Sequence, residues 1–301
     1  MDISKIGLWF RIIRPQTLFA SVCPVVVASA LTAAPTPVGI GIELNKTITI
    51  CTVCCALALQ VLSNLINDYY DFLRGTDKKG RVGFKRALAE GEVSARQMRA
   101  ACLLTALIAV LLGIYLVLAG GWRILLIGVT ALLFAWLYTA TRHSLSYLGI
   151  ADIFVFLYYG VVAGWGTAWL QCAANGLTVG WQALLPVVYA TAVNGLISMF
   201  VLMINNLRDM EDDRAAGKRT LPVRFGKRTA ENLLALLVIL AGLFAWLATR
   251  DWVVCLVLLP VGCLYGLTLR AKGAAYNRCL LLAGLTNLAY TLLIVCRLAL
   301  E

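Results

Sequence analysis

The sequence predicts an all-α integral membrane protein built from nine transmembrane helices. Three features lead there. Its 301 residues are 61% hydrophobic and only 14% charged, against roughly 25% charged residues in soluble domains. Apolar windows close to the roughly 20 residues needed to cross a bilayer recur from one end of the chain to the other. The basic residues behind the net charge of +11 sit mostly between those windows. A soluble globule is excluded, and the basic excess fits loops facing anionic lipid better than a nucleic-acid surface.

Ending each window at charges or at Pro/Gly clusters places helices near 16–34, 46–67, 97–119, 122–140, 148–171, 181–204, 229–249, 252–270 and 278–299. The stretch before them has no small-residue cleavage site behind a short apolar core, so no removable signal peptide is expected. With the N-terminus in the cytoplasm, 22 of the 26 lysines and arginines fall on the cytoplasmic side, leaving Lys46, Arg123, Arg250 and Arg297 opposite. The positive-inside rule therefore predicts a cytoplasmic N-terminus and an external C-terminus. Most of the ten cysteines lie in apolar runs, and the Cys51-x-x-Cys54 spacing reads as helix packing rather than redox or metal chemistry.

Two long polar connections, roughly 68–96 and 205–228, follow the second and sixth spans and are both expected in the cytoplasm. One such loop in each half points to an internal duplication within a single membrane domain, 1–301. Each loop is entered through an acidic motif. In the first, Asn64, Asn67 and Asp71 are spaced to line one helical face, with Asp68, Arg74 and Asp77 beside them. In the second, Asn205, Asp209 and Asp213 form a similar stripe, followed by Lys218 and Arg219. Carboxylates at a helix C-terminus face the negative end of its dipole, and at a membrane boundary they need a positive partner. Oxygen-only donors suit a hard ion such as Mg²⁺, which completes its shell with phosphate oxygens and water. The adjacent Arg74, Lys78, Lys79, Arg81, Lys218 and Arg219 then suit phosphate groups. The shared Asn-x-x-x-Asp spacing, Asn67 to Asp71 and Asn205 to Asp209, points to one metal–diphosphate site made by both motifs.

At these residues the sequence resembles the UbiA-type superfamily of intramembrane aromatic prenyltransferases, and within it the branch that acts on 1,4-dihydroxy-2-naphthoate. The likeness covers nearly the whole chain. It is carried by Ile13-Arg14-Pro15-Gln16-Thr17-Leu18, by Leu62 to Tyr69, by Tyr147 to Asp152, by Asn205-Asn206-Leu207-Arg208-Asp209, and by Gly217-Lys218-Arg219-Thr220-Leu221. The resemblance implies a nine-helix fold around a central cavity capped on the cytoplasmic side. It also implies the reaction: with Mg²⁺, a polyprenyl diphosphate loses diphosphate, the ring carbon bearing the carboxylate attacks the allylic cation, and CO₂ departs.

On that reading Asn67, Asp71, Asp209 and Asp213 are the leading metal ligands, with Asp68 and Asp77 as additional ones. Arg74, Lys218 and Arg219 are expected to hold the diphosphate, and Asn64 and Tyr138 to line the substrate site. Arg142, just after Tyr138, and Asp152, at the start of the fifth span, are expected to take part in catalysis, Asp152 by orienting or deprotonating an acceptor hydroxyl. Arg14, at the cytoplasmic entrance of the first span, is either the partner of the acceptor carboxylate or a positive-inside anchor. Tyr69, Tyr70, Tyr138, Tyr158 and Trp165 offer π faces to an allylic cation or simply pack. Asn194 and Asn287 are expected to bond between helices, and His143 is an interfacial side chain. Two other readings fit less well: a prenyltransferase for 4-hydroxybenzoate or homogentisate, and a transporter, whose coupling charges belong near the midplane on broken helices.

Overall fold

The computed structural model describes residues 3–35, 39–76, 85–141 and 144–300. Asp77, Lys78, Lys79, Arg81, Arg142 and His143 lie outside them. The described chain is α-helical throughout, without strands. It runs α1 (Ile3–Ile13), α2 (Pro15–Ala33), α3 (Lys46–Leu73), α4 (Ala95–Gly120), α5 (Trp122–Leu137), α6 (Leu145–Leu148) and α7 (Ala151–Phe156). A π turn, Leu157–Val162, carries α7 into α8 (Ala163–Ala174). After a 3₁₀ turn at Trp181–Leu184 come α9 (Leu185–Arg208), α10 (Met210–Ala215), α11 (Leu221–Phe225) and α12 (Lys227–Thr249). A second 3₁₀ turn, Val254–Val257, precedes α13 (Leu258–Arg270) and α14 (Ala275–Ala299).

Among the described residues seven helical stretches are long and apolar enough to cross a membrane, and Trp122–Leu137 and Val254–Arg270 are apolar but shorter. All nine expected segments are therefore helical, while seven reach spanning length. The protein is an integral membrane protein.

Several boundaries differ from the hydropathy reading for identifiable reasons. α1 was not expected: Leu8 and Trp9 pack on the small core around Ile12, Leu65 and Met98, while Ile6 and Phe10 are exposed. Helix α3 does not stop at the first acid but continues to Leu73, because cations from other segments meet Asp68 and Asp71. The second polar connection is largely helical, with α9 reaching Arg208 and α10 and α11 following. Helix starts follow local chemistry. The Asn45 side chain accepts from the Ile48 N–H (3.1 Å), and Ser94 and Gln97 form a capping box on α4.

Helix α9 is the most deeply buried span, packed against α2, α12, α14 and the π turn. Small residues let it approach so closely. A Cβ on Gly195 would lie 2.8 Å from the Phe156 carbonyl oxygen and 2.9 Å from the Gly160 Cα, a backbone-to-backbone contact typical of membrane helix pairs. As expected from sequence, Asn194 and Asn287 link α9 to α14, the Asn194 Nδ2 donating to Asn287 Oδ1 at 2.6 Å. Replacing Gly195 by Leu forces these backbones apart, so we expect a loss of about 1–3 kcal/mol, read as earlier thermal unfolding in detergent.

Candidate active site

The last two turns of α3 and the α9–α10 junction converge at one end of the bundle. Asp71 is 3% exposed, and its Oδ2 lies 3.8 Å from the Lys218 Nζ, which is also 3.6 Å from Asp213 Oδ1. One ammonium thus joins a carboxylate from each motif. Arg74, one turn beyond Asp71, approaches its Oδ1 at 3.8 Å and donates from Nη2 to the carbonyls of Thr139 and, at 3.1 Å, Thr141. Asp68 points to another side of α3, where Arg14 and Arg86 both hold its Oδ1. In the second motif the helix breaks at Asp209 (φ −96°, ψ 11°), so the stripe through Asn205, Asp209 and Asp213 turns a corner. Arg208 grips both Asp209 oxygens at 2.7 Å and donates to Asn277 Oδ1 at 2.8 Å.

A cavity of about 760 Å³ connects these groups. Its polar end is lined by Arg14, Asn64, Asn67, Asp71, Arg86, Tyr138, Asn205, Arg208, Asp209, Asp213 and Lys218. From there an apolar limb runs between α4, α5 and α8, past Val117, Leu132, Phe134 and Leu170. Leu118 and Val129 line this limb and are exposed, so it opens sideways on the outer surface of the bundle. The π turn places consecutive residues, Tyr158 and Tyr159, on the cavity wall. Tyr159 donates to Gln60 Oε1, and the Asn64 Nδ2 donates to Thr17 Oγ1 and the Ile13 carbonyl, both at 2.9 Å.

Of the residues expected from sequence, Arg14, Asn64, Asn67, Asp71, Tyr138, Lys218, Asp209 and Asp213 are brought together on this wall. Asp68, Arg74, Arg219 and Asp152 are not on it. Asp152 is buried with an Oδ1 that meets no hydrogen-bond donor. Tyr69 packs on the small core, Tyr70 accepts from the Trp136 indole at 3.4 Å, and Trp165 stacks on Trp169. The buried Asn67 Oδ1 and Asp71 Oδ1 also make no hydrogen bond. Among the described residues no group of three or more His, Cys, Asp or Glu side chains is gathered as a ready-made metal cluster.

Sequence reasoning missed Arg86, Gln60, Tyr159 and the part played by Tyr147. The Tyr147 ring lies beneath two cations, Arg74 from the first motif (5.1 Å) and Lys218 from the second (5.6 Å). Its carbonyl accepts from the Arg219 N–H at 3.1 Å. Gly149 makes this contact possible: its φ is +71°, and a Cβ there would fall 2.0 Å from the Arg219 carbonyl oxygen. Tyr147→Leu should loosen both cations and raise the KM for an anionic substrate several-fold with a smaller change in kcat, whereas Tyr147→Phe, which keeps the ring, should stay near wild type.

An all-helical membrane protein whose cavity joins paired Asn/Asp motifs and basic side chains to a lipid-open apolar limb is suited to an amphiphile with an anionic head. The UbiA prenyltransferase family profile matches residues 21–291, and the chain belongs to that family as a prenyltransferase. It is 32% identical to the 1,4-dihydroxy-2-naphthoate octaprenyltransferase of Escherichia coli, over 79% of this chain and 74% of that protein. It is likewise 32% identical to the Mycobacterium tuberculosis enzyme of the same name, over 90% and 87%. A UbiA homolog from Archaeoglobus fulgidus, solved with DMAPP and Mg²⁺, shares the fold with a TM-score of 0.66 at 16% identity, covering 97% of this chain and 99% of that one.

Proposed function

We propose that the chain acts as a single membrane domain that transfers a polyprenyl group from polyprenyl diphosphate to 1,4-dihydroxy-2-naphthoate. The carbon–oxygen bond of the donor breaks with its electron pair going to diphosphate. The ring carbon bearing the carboxylate forms the new carbon–carbon bond, and loss of CO₂ returns electrons to the ring, giving demethylmenaquinol. Two relatives named for this acceptor support the substrate. The carrying observation is the single cavity in which carboxylates and cations of both motifs meet an apolar limb open to lipid.

The donor set fits Mg²⁺. Asn67 Oδ1 and Asp71 Oδ1 are buried oxygens without hydrogen-bond partners, and Asp209 and Asp213 line the same wall. These four would hold the ion, with Asp77 as a further acid, whereas Asp68, held by Arg14 and Arg86 off this wall, is not among them. When bound, Mg²⁺ supplies charge neutralisation for the leaving diphosphate. Lys218, now bridging Asp71 and Asp213, is placed to turn to that diphosphate, and Arg74, Arg142 and Arg219 are assigned to the same anion from their places in the motifs. Tyr138, Tyr158 and Tyr159 line the wall where the allylic cation forms. Arg14, a five-donor fork of which one nitrogen holds Asp68, is assigned to the acceptor carboxylate. Asp152, which lies off that wall, does not reach the acceptor directly and is assigned a positioning role.

Incubation of the purified protein with the naphthoate, a polyprenyl diphosphate and Mg²⁺ should release CO₂ in step with prenylated quinol, identified by mass. Asp71→Ala should reduce this at least a hundredfold while the protein remains folded. Prenylation of 4-hydroxybenzoate with its carboxylate retained, and none of the naphthoate, overturns the acceptor assignment.

The site is assigned to the cytoplasmic face of a bacterial cytoplasmic membrane, with the N-terminus inside and the C-terminus outside, in keeping with the charge asymmetry. Lys85 and Arg224 are both exposed. In a cysteine-free background, Lys85→Cys and Arg224→Cys should react with an impermeant thiol probe only after the cells are opened. Labelling of intact cells reverses the topology.

A further inference from the structure

A second cavity, of about 360 Å³, lies beside the start of α5, at the end of that helix opposite Tyr138 and the acidic motifs. It is walled by Trp122, Leu126, Ile127, Val161, Val162 and Trp165, with Arg123 among them. That volume is at the lower end of the range of small-molecule pockets.

The cation in it is built into place. The Arg123 guanidinium lies 4.1 Å over the Trp169 ring and 5.5 Å from that of Trp122. Trp169 is itself fixed, its indole N–H donating to the Gly120 carbonyl at 2.9 Å and its ring stacked on Trp165 at 5.6 Å with planes 6° apart. Among the described residues no carboxylate pairs with Arg123, whereas Arg297 in α14 is bonded to Asp251 at 2.5 Å. A charge on a membrane helix calls for a counter-charge. A guanidinium held over an indole face has N–H donors left for an oxyanion, and phosphate matches that fork. Trp122 is 69% exposed, so the groove is reached from the surface of the bundle.

We propose that this groove binds one phospholipid, its acyl chain along Leu126, Val161 and Trp165 and its phosphodiester on Arg123. Charge complementarity decides between occupants. The far end of a prenyl chain would use the same apolar wall but leave the guanidinium without an anion. Ile127 and Val162 face both this groove and the main cavity, so the lipid would lie directly behind the wall of the apolar limb. Val161 and Val162 come from the π turn, a distortion that is frequent at functional sites.

Native mass spectrometry of the detergent-solubilised protein, titrated with phosphatidylglycerol or with diacylglycerol of the same chains, tests this. The wild type should retain one phosphatidylglycerol, and Arg123→Gln should weaken that binding at least tenfold, about 1.4 kcal/mol, with unchanged thermal unfolding. Arg123→Lys should fall between, and diacylglycerol should bind both proteins equally weakly. If Arg123→Gln does not fold, Leu126→Trp, which fills the groove and keeps the charge, should expel the lipid. Unchanged binding in Arg123→Gln or Leu126→Trp overturns the proposal, as does diacylglycerol held as tightly as phosphatidylglycerol, the result expected of a hydrocarbon-only slot. Displacement of the lipid by inorganic phosphate at equal concentration also overturns it, since the chain would then contribute nothing. None of these readouts depends on catalysis.

Discussion

Compensation of buried carboxylates is the constraint on which the rest of this structure depends. Asp68 and Asp71 sit on a helix that runs through the bundle, both almost fully buried, where an ionised group without a partner is costly. The two acids are met separately. Asp68 is held by Arg14 from the α1–α2 joint and Arg86 from the segment before α4. Asp71 is met by Arg74 on its own helix and by Lys218 from beyond α10. These pairs draw segments distant in sequence onto one end of α3, and that gathering closes the polar end of the cavity.

The division of labour among the acids follows from it. Asp68 is occupied by two arginines and lies off the cavity wall, so its charge goes into holding the bundle end together. Asp71 and Asp213 share a single lysine at distances longer than a tight hydrogen bond, a looser arrangement that a stronger cation can replace. A lysine suits that position better than an arginine, because its point charge on a flexible stem can leave without breaking a bidentate fork. Arg208, clasping both oxygens of Asp209, has the opposite character and is 4% exposed at its side chain.

The helical segments and both acidic motifs were legible in the sequence, because apolar length and Asn/Asp spacing are local properties. Asn67, Asp71, Asp209 and Asp213 all reach the one cavity as their spacing implied. What stayed hidden depends on contacts across the fold. The continuation of α3 past Asp68 relies on Arg14 and Arg86, which come from elsewhere in the chain. The cation platform of Tyr147 needs Arg74 and Lys218 from opposite halves. The π turn that sets Tyr158 and Tyr159 side by side on the wall leaves no mark in hydropathy, since an inserted residue in an apolar run is still apolar. Helix α1 did leave a signal, with apolar side chains recurring at helical spacing from Ile3 to Ile13, but it is too short to register as a span.

Arg14 carries two demands that pull in different directions. Its backbone is left-handed (φ 57°, ψ 71°) immediately before Pro15, a conformation costing on the order of 1 kcal/mol or more for a side chain with a Cβ. A glycine would relieve that cost, yet only a long cation reaches Asp68 from this joint. The joint is therefore held in a strained form by the charge it delivers, like a spring kept bent by its own hook. A substitution that improves the backbone removes the hook, and one that keeps the hook keeps the strain. Position 14 thus has few routes to change, and the angle at which α1 leaves the bundle is tied to the ion pair that Arg14 makes with Asp68.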